Sequence, residues 1–493
     1  MGLGLVLAHA EERRSRSHAA EVAAAEAEAR DLDARGSQPL VFHPRIVSLT
    51  LPGITTSGSR SGHLLRILGV GFGVAVNIGS TIGIGILAAP GLVAGQLHTM
   101  GPILIAWLVG GLYTLLGANC LTELGTMAPQ AGGYYVYARR AFGDWVGFAV
   151  GWTDWITYCT VLGYVSIGMA SFLEKLAPGL AGNGRIVAVV MLVGFVALQW
   201  AGVRISSRFQ EWTTALKCLA FVALVVAGLV MAGAASGAPA TASMPALTLS
   251  GVIAALQAVV ITYAGWQSAL YFTEEDRDPT RNLPRAMIGG VVAVIAIYLL
   301  VNLALLVILP VPTLAASALP ASDAAQAIIG PRGGQIITVL CVVSLVPLLN
   351  AIMMIGTRIL FALGRDRLLW ARAADVNTGG TPGVATVLTT IVAIVLIATG
   401  TFQSLIAMTA FFLALNYAVC CLALVVLRRR EPGVARPFRA WGYPWSAAIV
   451  VAGALAFLVS ALIADTPSAL VATGILAAGV IGHAVHRALR PRS

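Results

Sequence analysis

Apolar runs bounded by polar or turn residues divide the chain into twelve segments long enough to cross a bilayer. They run Leu64–Ala94, Pro102–Met127, Trp145–Leu173, Ile186–Ala201, Thr213–Ala232, Gly251–Phe272, Met287–Leu309, Gln335–Leu363, Val384–Gly400, Leu405–Leu427, Trp445–Ala464 and Ser468–Ala488. A spanning helix needs about 20 apolar residues, so the fourth and ninth are short and their ends are the least defined. Turn residues separate the segments, as at Gly202-Val203-Arg204, Asp278-Pro279 and Thr381-Pro382-Gly383. The pattern predicts an all-α polytopic membrane protein with twelve transmembrane helices.

Two of the segments are poor unbroken helices. In the first, Ile78-Gly79-Ser80-Thr81-Ile82-Gly83-Ile84-Gly85 carries three glycines within seven residues. Each glycine costs about 1 kcal/mol relative to alanine in a helix. Backbone groups freed at membrane depth have no water to bond, so such a break belongs beside a cavity or inside protein. The sixth segment has its own glycine among small and polar residues, Thr262-Tyr263-Ala264-Gly265-Trp266-Gln267-Ser268. Interrupted helices at matching positions of two five-helix halves are the pattern of an inverted-repeat transporter. Half-helix N-termini then offer N–H groups to an anion and C-termini offer carbonyls to a cation, which suits a zwitterion without any charged side chain. The plainer alternative is that the glycines only allow helices to pack closely. The resulting organisation is a first repeat over 64–232, a second over 233–430 and two extra helices over 431–488. Residues 1–63 form a cytoplasmic tail expected to lack order, and 489–493 a cytoplasmic C-terminal tail. Met1–Ala8 is apolar but too short for a secretory signal and lacks a basic lead.

Composition agrees with this class. The 493 residues are 58% hydrophobic and 11% charged, with a mean hydropathy of +0.86. The formal charge of +10 comes mainly from arginines in short loops between apolar runs, which argues against nucleic acid as a partner. Of the 31 Lys and Arg residues, only Lys175, Arg185 and Arg332 fall on one face when the N-terminus is placed on the other. The positive-inside bias puts both termini in the cytoplasm. The six cysteines lie within apolar segments and show neither metal spacing nor a disulfide framework. No phosphate loop, metal cluster or nucleophile arrangement is present, so no enzyme activity, metal or cofactor is expected.

Several polar residues lie within the apolar segments. Lys217 is in the fifth, where an ammonium needs a partner or must give up its proton. It stands about two turns beyond Arg208 at 3.6 residues per turn, so snorkelling to the interface is the competing reading. Asp154 in the third segment reads either as a proton relay or pathway residue or as part of a hydrated vestibule. Glu274 and Glu275, near Arg277 and Arg281, read as gate ion pairs or as a solvated helix end. Glu123 reads as an interfacial or gate pair. Asn350 and Asn416 read as interhelical hydrogen bonds. Tyr263 and Trp266 either line the site or pack as core aromatics.

Five motifs in order carry a resemblance. Ile82-Gly83-Ile84-Gly85-Ile86 comes first. Glu123-Leu124-Gly125-Thr126-Met127-Ala128-Pro129 with Gly132-Gly133-Tyr134-Tyr135 follows. Then come Thr273-Glu274-Glu275 with Asn282-Leu283-Pro284-Arg285-Ala286, and Arg358-Ile359-Leu360-Phe361-Ala362-Leu363-Gly364-Arg365-Asp366. Arg428-Arg429-Arg430-Glu431-Pro432 with Arg436-Pro437-Phe438 and Gly442-Tyr443-Pro444 closes the series. From Leu64 to about Ser446 the chain resembles the amino acid–polyamine–organocation (APC) superfamily of permeases, with the LeuT-type fold and discontinuous helices one and six. The resemblance implies that a substrate carboxylate meets the N–H groups of Gly83, Ile84 and Gly85. The ammonium would meet carbonyls near Thr81, Ile261 and Ala264, with Gly265 allowing close backbone approach. Ile84 stands where the family often has serine, and Ile261 where many relatives carry an aromatic gate. Lys217 matches a helix-five lysine that occupies the place of sodium in sodium-coupled relatives, and contacts to broken helix one and to Ser344 are expected. The implied function is amino acid transport across the plasma membrane by alternating access, coupled to protons as a symport. An amino acid exchanger and a polyamine or organic cation transporter are the alternatives, with a membrane nutrient sensor behind them. The implied partners are an amino acid, protons and the lipid bilayer; no oligomer is assigned.

Overall fold

The computed structural model describes residues 60–61, 63–231 and 246–488. Nearly all of the expected N-terminal tail, the end of the first repeat and start of the second at 232–245, and the tail at 489–493 lie outside the described residues. The helices are α1 (Val70–Thr81), α2 (Gly85–Leu97), α3 (Met100–Met127), α4 (Tyr134–Phe142), α5 (Asp144–Leu176), α6 (Gly184–Trp200), α7 (Val203–Met231) and α8 (Leu249–Thr262). They continue with α9 (Pro279–Ile308), α10 (Val311–Ala316), α11 (Pro320–Ile329), α12 (Arg332–Arg365), α13 (Gly383–Thr399), α14 (Phe402–Arg430), α15 (Trp445–Ala464) and α16 (Thr466–Ala488). Among the described residues, eight helices are long and apolar enough to cross a membrane, and α1 with α2 makes a ninth span bent by 46°. The shorter apolar helices α6, α8 and α13 have 17, 14 and 17 residues. They fall in the fourth, sixth and ninth predicted segments, so every predicted segment has a helix. This is a multi-pass, all-helical membrane protein.

The break in the first segment falls at 82–84, between α1 and α2. The helix begins at Val70, later than the apolar run, because Leu68 is held in an extended bridge. Its N–H donates to the Glu275 carbonyl at 2.9 Å and its carbonyl accepts from Arg277 N–H at 3.0 Å. The sixth segment ends its α-helix at Thr262 and resumes as a 3-10 turn over Ser268–Phe272. Apolar periodicity did not mark α4, α10 or α11, nor the antiparallel pairing of Arg60–Ser61 with Asp375–Val376. These pieces are too short or too amphipathic to register as spans. Helices α5 and α12 form the centre, with 78% and 72% of their most apolar stretch buried; α15 and α16, at 22% each, lie at the rim.

Candidate substrate and coupling site

A straight helix through 79–86 would bond the carbonyls of Gly79, Thr81 and Ile82 to the N–H groups of 83, 85 and 86. The bend removes those partners, and side chains from other helices replace them. Lys217 Nζ donates to the Gly79 carbonyl at 2.8 Å and to the Ile82 carbonyl at 2.6 Å. Ser344 Oγ also points to the Ile82 carbonyl, at 3.4 Å. The Tyr298 hydroxyl lies 2.9 Å from the carbonyls of both Thr81 and Thr262, the last residues of α1 and α8. Lys217 is fully buried and faces the C-terminal end of α1, where the helix dipole favours a cation. Snorkelling does not describe this lysine. Close approach of α7 explains Gly79: a Cβ there would lie 2.3 Å from Gln210 Nε2 and 2.6 Å from Thr214 Oγ1.

The N–H groups of Gly83, Ile84 and Gly85 find no protein acceptor among the described residues. They open the N-terminus of α2, where the dipole favours an anion. The second break lies against the first. Gly265 has φ +111°, and a Cβ there would be 2.5 Å from the Ser80 carbonyl, so the two backbones touch. Ser80 Oγ donates toward the Gly265 carbonyl at 2.9 Å and shares a 2.7 Å bond with Ser268 Oγ. Asn77 fastens the inner part of α1 on two sides. Its Oδ1 accepts from Ala269 N–H at 2.8 Å and its Nδ2 donates to the Ala286 carbonyl at 3.0 Å.

Both breaks open on one cavity of about 590 Å³. Thr81, Gly83, Ile84, Gly85, Ile261, Ala264 and Gly265 all line it, and among the described residues its wall holds no Asp, Glu, Lys, Arg or His. The Ile261 side chain is 42% exposed there, while its carbonyl accepts from Ala264 N–H at 3.0 Å within the turn. On the floor, Gln267 reaches the hydroxyls of Tyr158 at 3.4 Å and Tyr417 at 3.3 Å.

Residues 73–484 match the family model described as "Amino acid permease". The chain belongs to the amino acid permease family, within the APC superfamily. It is 29% identical to the serine/threonine exchanger SteT of Bacillus subtilis (strain 168), over 82% of this chain and 93% of that protein. It is 28% identical to the human b(0,+)-type amino acid transporter 1, over 78% of this chain and 81% of the relative. The human large neutral amino acids transporter small subunit 2 is also 28% identical, over 78% and 74%.

Ion pairs join helix ends on the Arg-rich side of the permease. Arg358 and Glu275, both fully buried, form a two-pronged pair at 3.0 Å. Glu274 takes Arg365 at 2.6 Å and the Ala131 N–H at 2.9 Å. Glu123 is buried against Arg428 and Arg436 and accepts from Ala440 N–H at 2.7 Å. None of the three is a solvated end. Asn350 bonds Gln199 and Gln210, and Asn416 accepts from Thr153, all between helices. Tyr263 and Trp266 are outside the cavity wall of the permease. The Tyr263 hydroxyl donates to the Trp107 carbonyl at 3.1 Å, and Trp266 packs on Tyr417 at 5.4 Å between rings. Tyr263 packs between Trp107 of α3 and Tyr298 of α9, and Trp266 between α3 and α14, the core-packing alternative of their reading. Asp154 is buried below the cavity floor and accepts from the Tyr271 hydroxyl at 2.8 Å. Sequence reasoning missed Tyr298, Asn77 and Gln267. A phenol inside an apolar run signals a buried acceptor, and Tyr298 carried that signal within Ile297-Tyr298-Leu299.

Proposed function

We propose that this permease carries neutral amino acids across the plasma membrane by alternating access around the paired breaks, with its Arg-rich face toward the cytoplasm. One observation carries the reading: unpaired N–H groups and helix-end carbonyls line a single cavity whose wall has no charged side chain. An amino acid brings both of its own charges, so backbone groups suffice to hold it. A polyamine would enter that wall without a counter-charge, at a large desolvation cost. With the ion pairs made and the cavity wide, the described arrangement corresponds to a state closed toward the cytoplasm.

Lys217 is the coupling group in this reading. As an ammonium it holds the Gly79 and Ile82 carbonyls; loss of its proton would remove two charge-assisted bonds and loosen the end of α1. That favours proton symport. Obligatory exchange is the second reading, favoured by the similarity to a protein named as a serine/threonine exchanger. Vesicles holding the purified protein separate the two. Uptake into empty vesicles driven by an acid exterior supports symport. Uptake that requires internal amino acid and ignores the pH gradient supports exchange. The absence of amino acid uptake under both conditions would sink the transport reading itself.

A further inference from the structure

Below the cavity floor lies a carboxyl group that neither the substrate contacts nor the ion pairs use. Asp154 is fully buried about three turns into α5. Its Oδ2 accepts from the Tyr271 hydroxyl, and its Oδ1 has no protein donor among the described residues. The titratable groups around it are neutral hydroxyls and a thiol. Tyr158 follows it on α5, Tyr134 faces it from α4, Tyr271 from the 3-10 turn, and Tyr417 and Cys420 from α14. Helix α13 has no titratable residue, and α6 has only Arg185, at its far end. Arg358 on α12 is taken up by both oxygens of Glu275. His483 on α16 stacks on Phe148, well below Asp154 on α5. Among the described residues no cation is paired with the carboxyl group, and an ionised carboxylate at such depth without one is costly.

The position of Tyr271 ties this group to the gate. It lies on the turn that begins at Ser268 and leads into Glu274 and Glu275, the acids of the closed face. Opening that face separates those pairs and displaces the turn. On the other side, the Tyr271 ring is 5.3 Å from that of Tyr158, whose side chain is in the cavity wall. A line of hydroxyl groups therefore runs from the cavity through Tyr158 and Tyr271 to Asp154.

We propose that Asp154 is a proton-binding site separate from Lys217, loaded while the Arg-rich face is closed and emptied when that face opens and water reaches the carboxyl group. The proton leaves the carboxyl group for water on the opened face, and a new one is taken from water in the cavity, by way of Tyr158 and Tyr271, once the gate closes. The proposal rests on the alternating-access reading for the gate movement alone. Two measurements on the full-length protein test it. Infrared spectra of the purified protein should show the C=O band of a protonated carboxylic acid that is missing in Asp154→Asn; identical spectra would overturn the assignment, and this readout needs no transport. Exchange of a labelled neutral amino acid in vesicles, at a series of matched pH values, gives the second. The wild type should show a several-fold pH dependence that becomes flat in Asp154→Asn, with substrate-induced thermal stabilisation retained. A wild-type profile in that variant refutes the coupling. If Asp154→Asn is flat and Lys217→Ala is not, the lysine reading fails and this one stands. Should Asp154→Asn not fold, Tyr271→Phe keeps the acid and removes its hydroxyl partner; an unshifted pH profile there counts against the proposal.

Discussion

At the first break, carbonyls that lost their helical partners are met from outside, by Lys217 of α7, Ser344 of α12 and Tyr298 of α9. At the second, the chain largely meets its own needs. Ala264 N–H returns to the Ile261 carbonyl, Ser268 N–H to Gly265 and Leu270 N–H to Gln267, while Ser268 Oγ reinforces the turn at 2.7 Å. A break held by other helices reports on their state, and one of its holders can lose a proton. A break that closes on itself moves as a piece. In the proposed cycle the first break would sense and the second be displaced, although both present the same kinds of backbone group to the cavity.

The comparison can be broken most sharply at Lys217. Lys217→Ala leaves the buried Gly79 carbonyl unmet, at about 1–3 kcal/mol, and the Ile82 carbonyl with only the 3.4 Å contact of Ser344. Proton-driven uptake should fall below about one hundredth of the wild type, on the scale of about 1.4 kcal/mol per tenfold; undiminished, pH-sensitive uptake in vesicles would remove the lysine from coupling. Gly265→Ala attacks the contact between the breaks, since its Cβ would lie 2.5 Å from the Ser80 carbonyl at a φ that disfavours side chains. Destabilisation of about 1–3 kcal/mol is expected, visible as a lower melting temperature and lost uptake. Gly85→Val crowds the Thr262 side chain, only 3.1 Å from the first carbon added; affinity read by thermal shift should drop about tenfold, or about 1.4 kcal/mol. Tyr298→Phe removes one hydroxyl shared by both helix ends, worth about 1 kcal/mol, and should weaken substrate binding about fivefold with folding intact. The smallest effect belongs to Ser268→Ala, because the Gly265 carbonyl keeps Ser80 Oγ. A change in uptake larger than that of Tyr298→Phe would show that the second break is not self-sufficient.

Much of this was legible in sequence because hydrocarbon enforces it. Apolar run length located a helix in every predicted segment, including the short α6 and α13, and glycine placement located both interruptions. Lys217 stood out as a lone ammonium among apolar residues. Partners brought from far along the chain were harder to see. Tyr298 lies 217 positions from Thr81, and its phenol within an apolar run announces a buried acceptor without saying which one. The same ambiguity ran the other way for Tyr263 and Trp266, whose rings pack against α3 and α14. Glu274 and Glu275 were recognisable as acids near arginines, but their partners are Arg365 and Arg358 rather than their neighbours Arg277 and Arg281; Glu123, at a helix end, meets Arg428 from far along the chain. Pairing depends on which helix ends the fold brings together, and local charge order carries no record of that.

Asn77 gives the first break a mechanical role. One amide grips the turn after the second break through Ala269 and α9 through Ala286. The lower arm of the first span is therefore riveted at two points and cannot swing by itself. Force applied at its Lys217 end is delivered to a rigid frame, so a local loosening there would tilt three segments together. Shortening the rivet, as in Asn77→Ala, would let the arm slip while the rest stays in place, uncoupling the lever from its load.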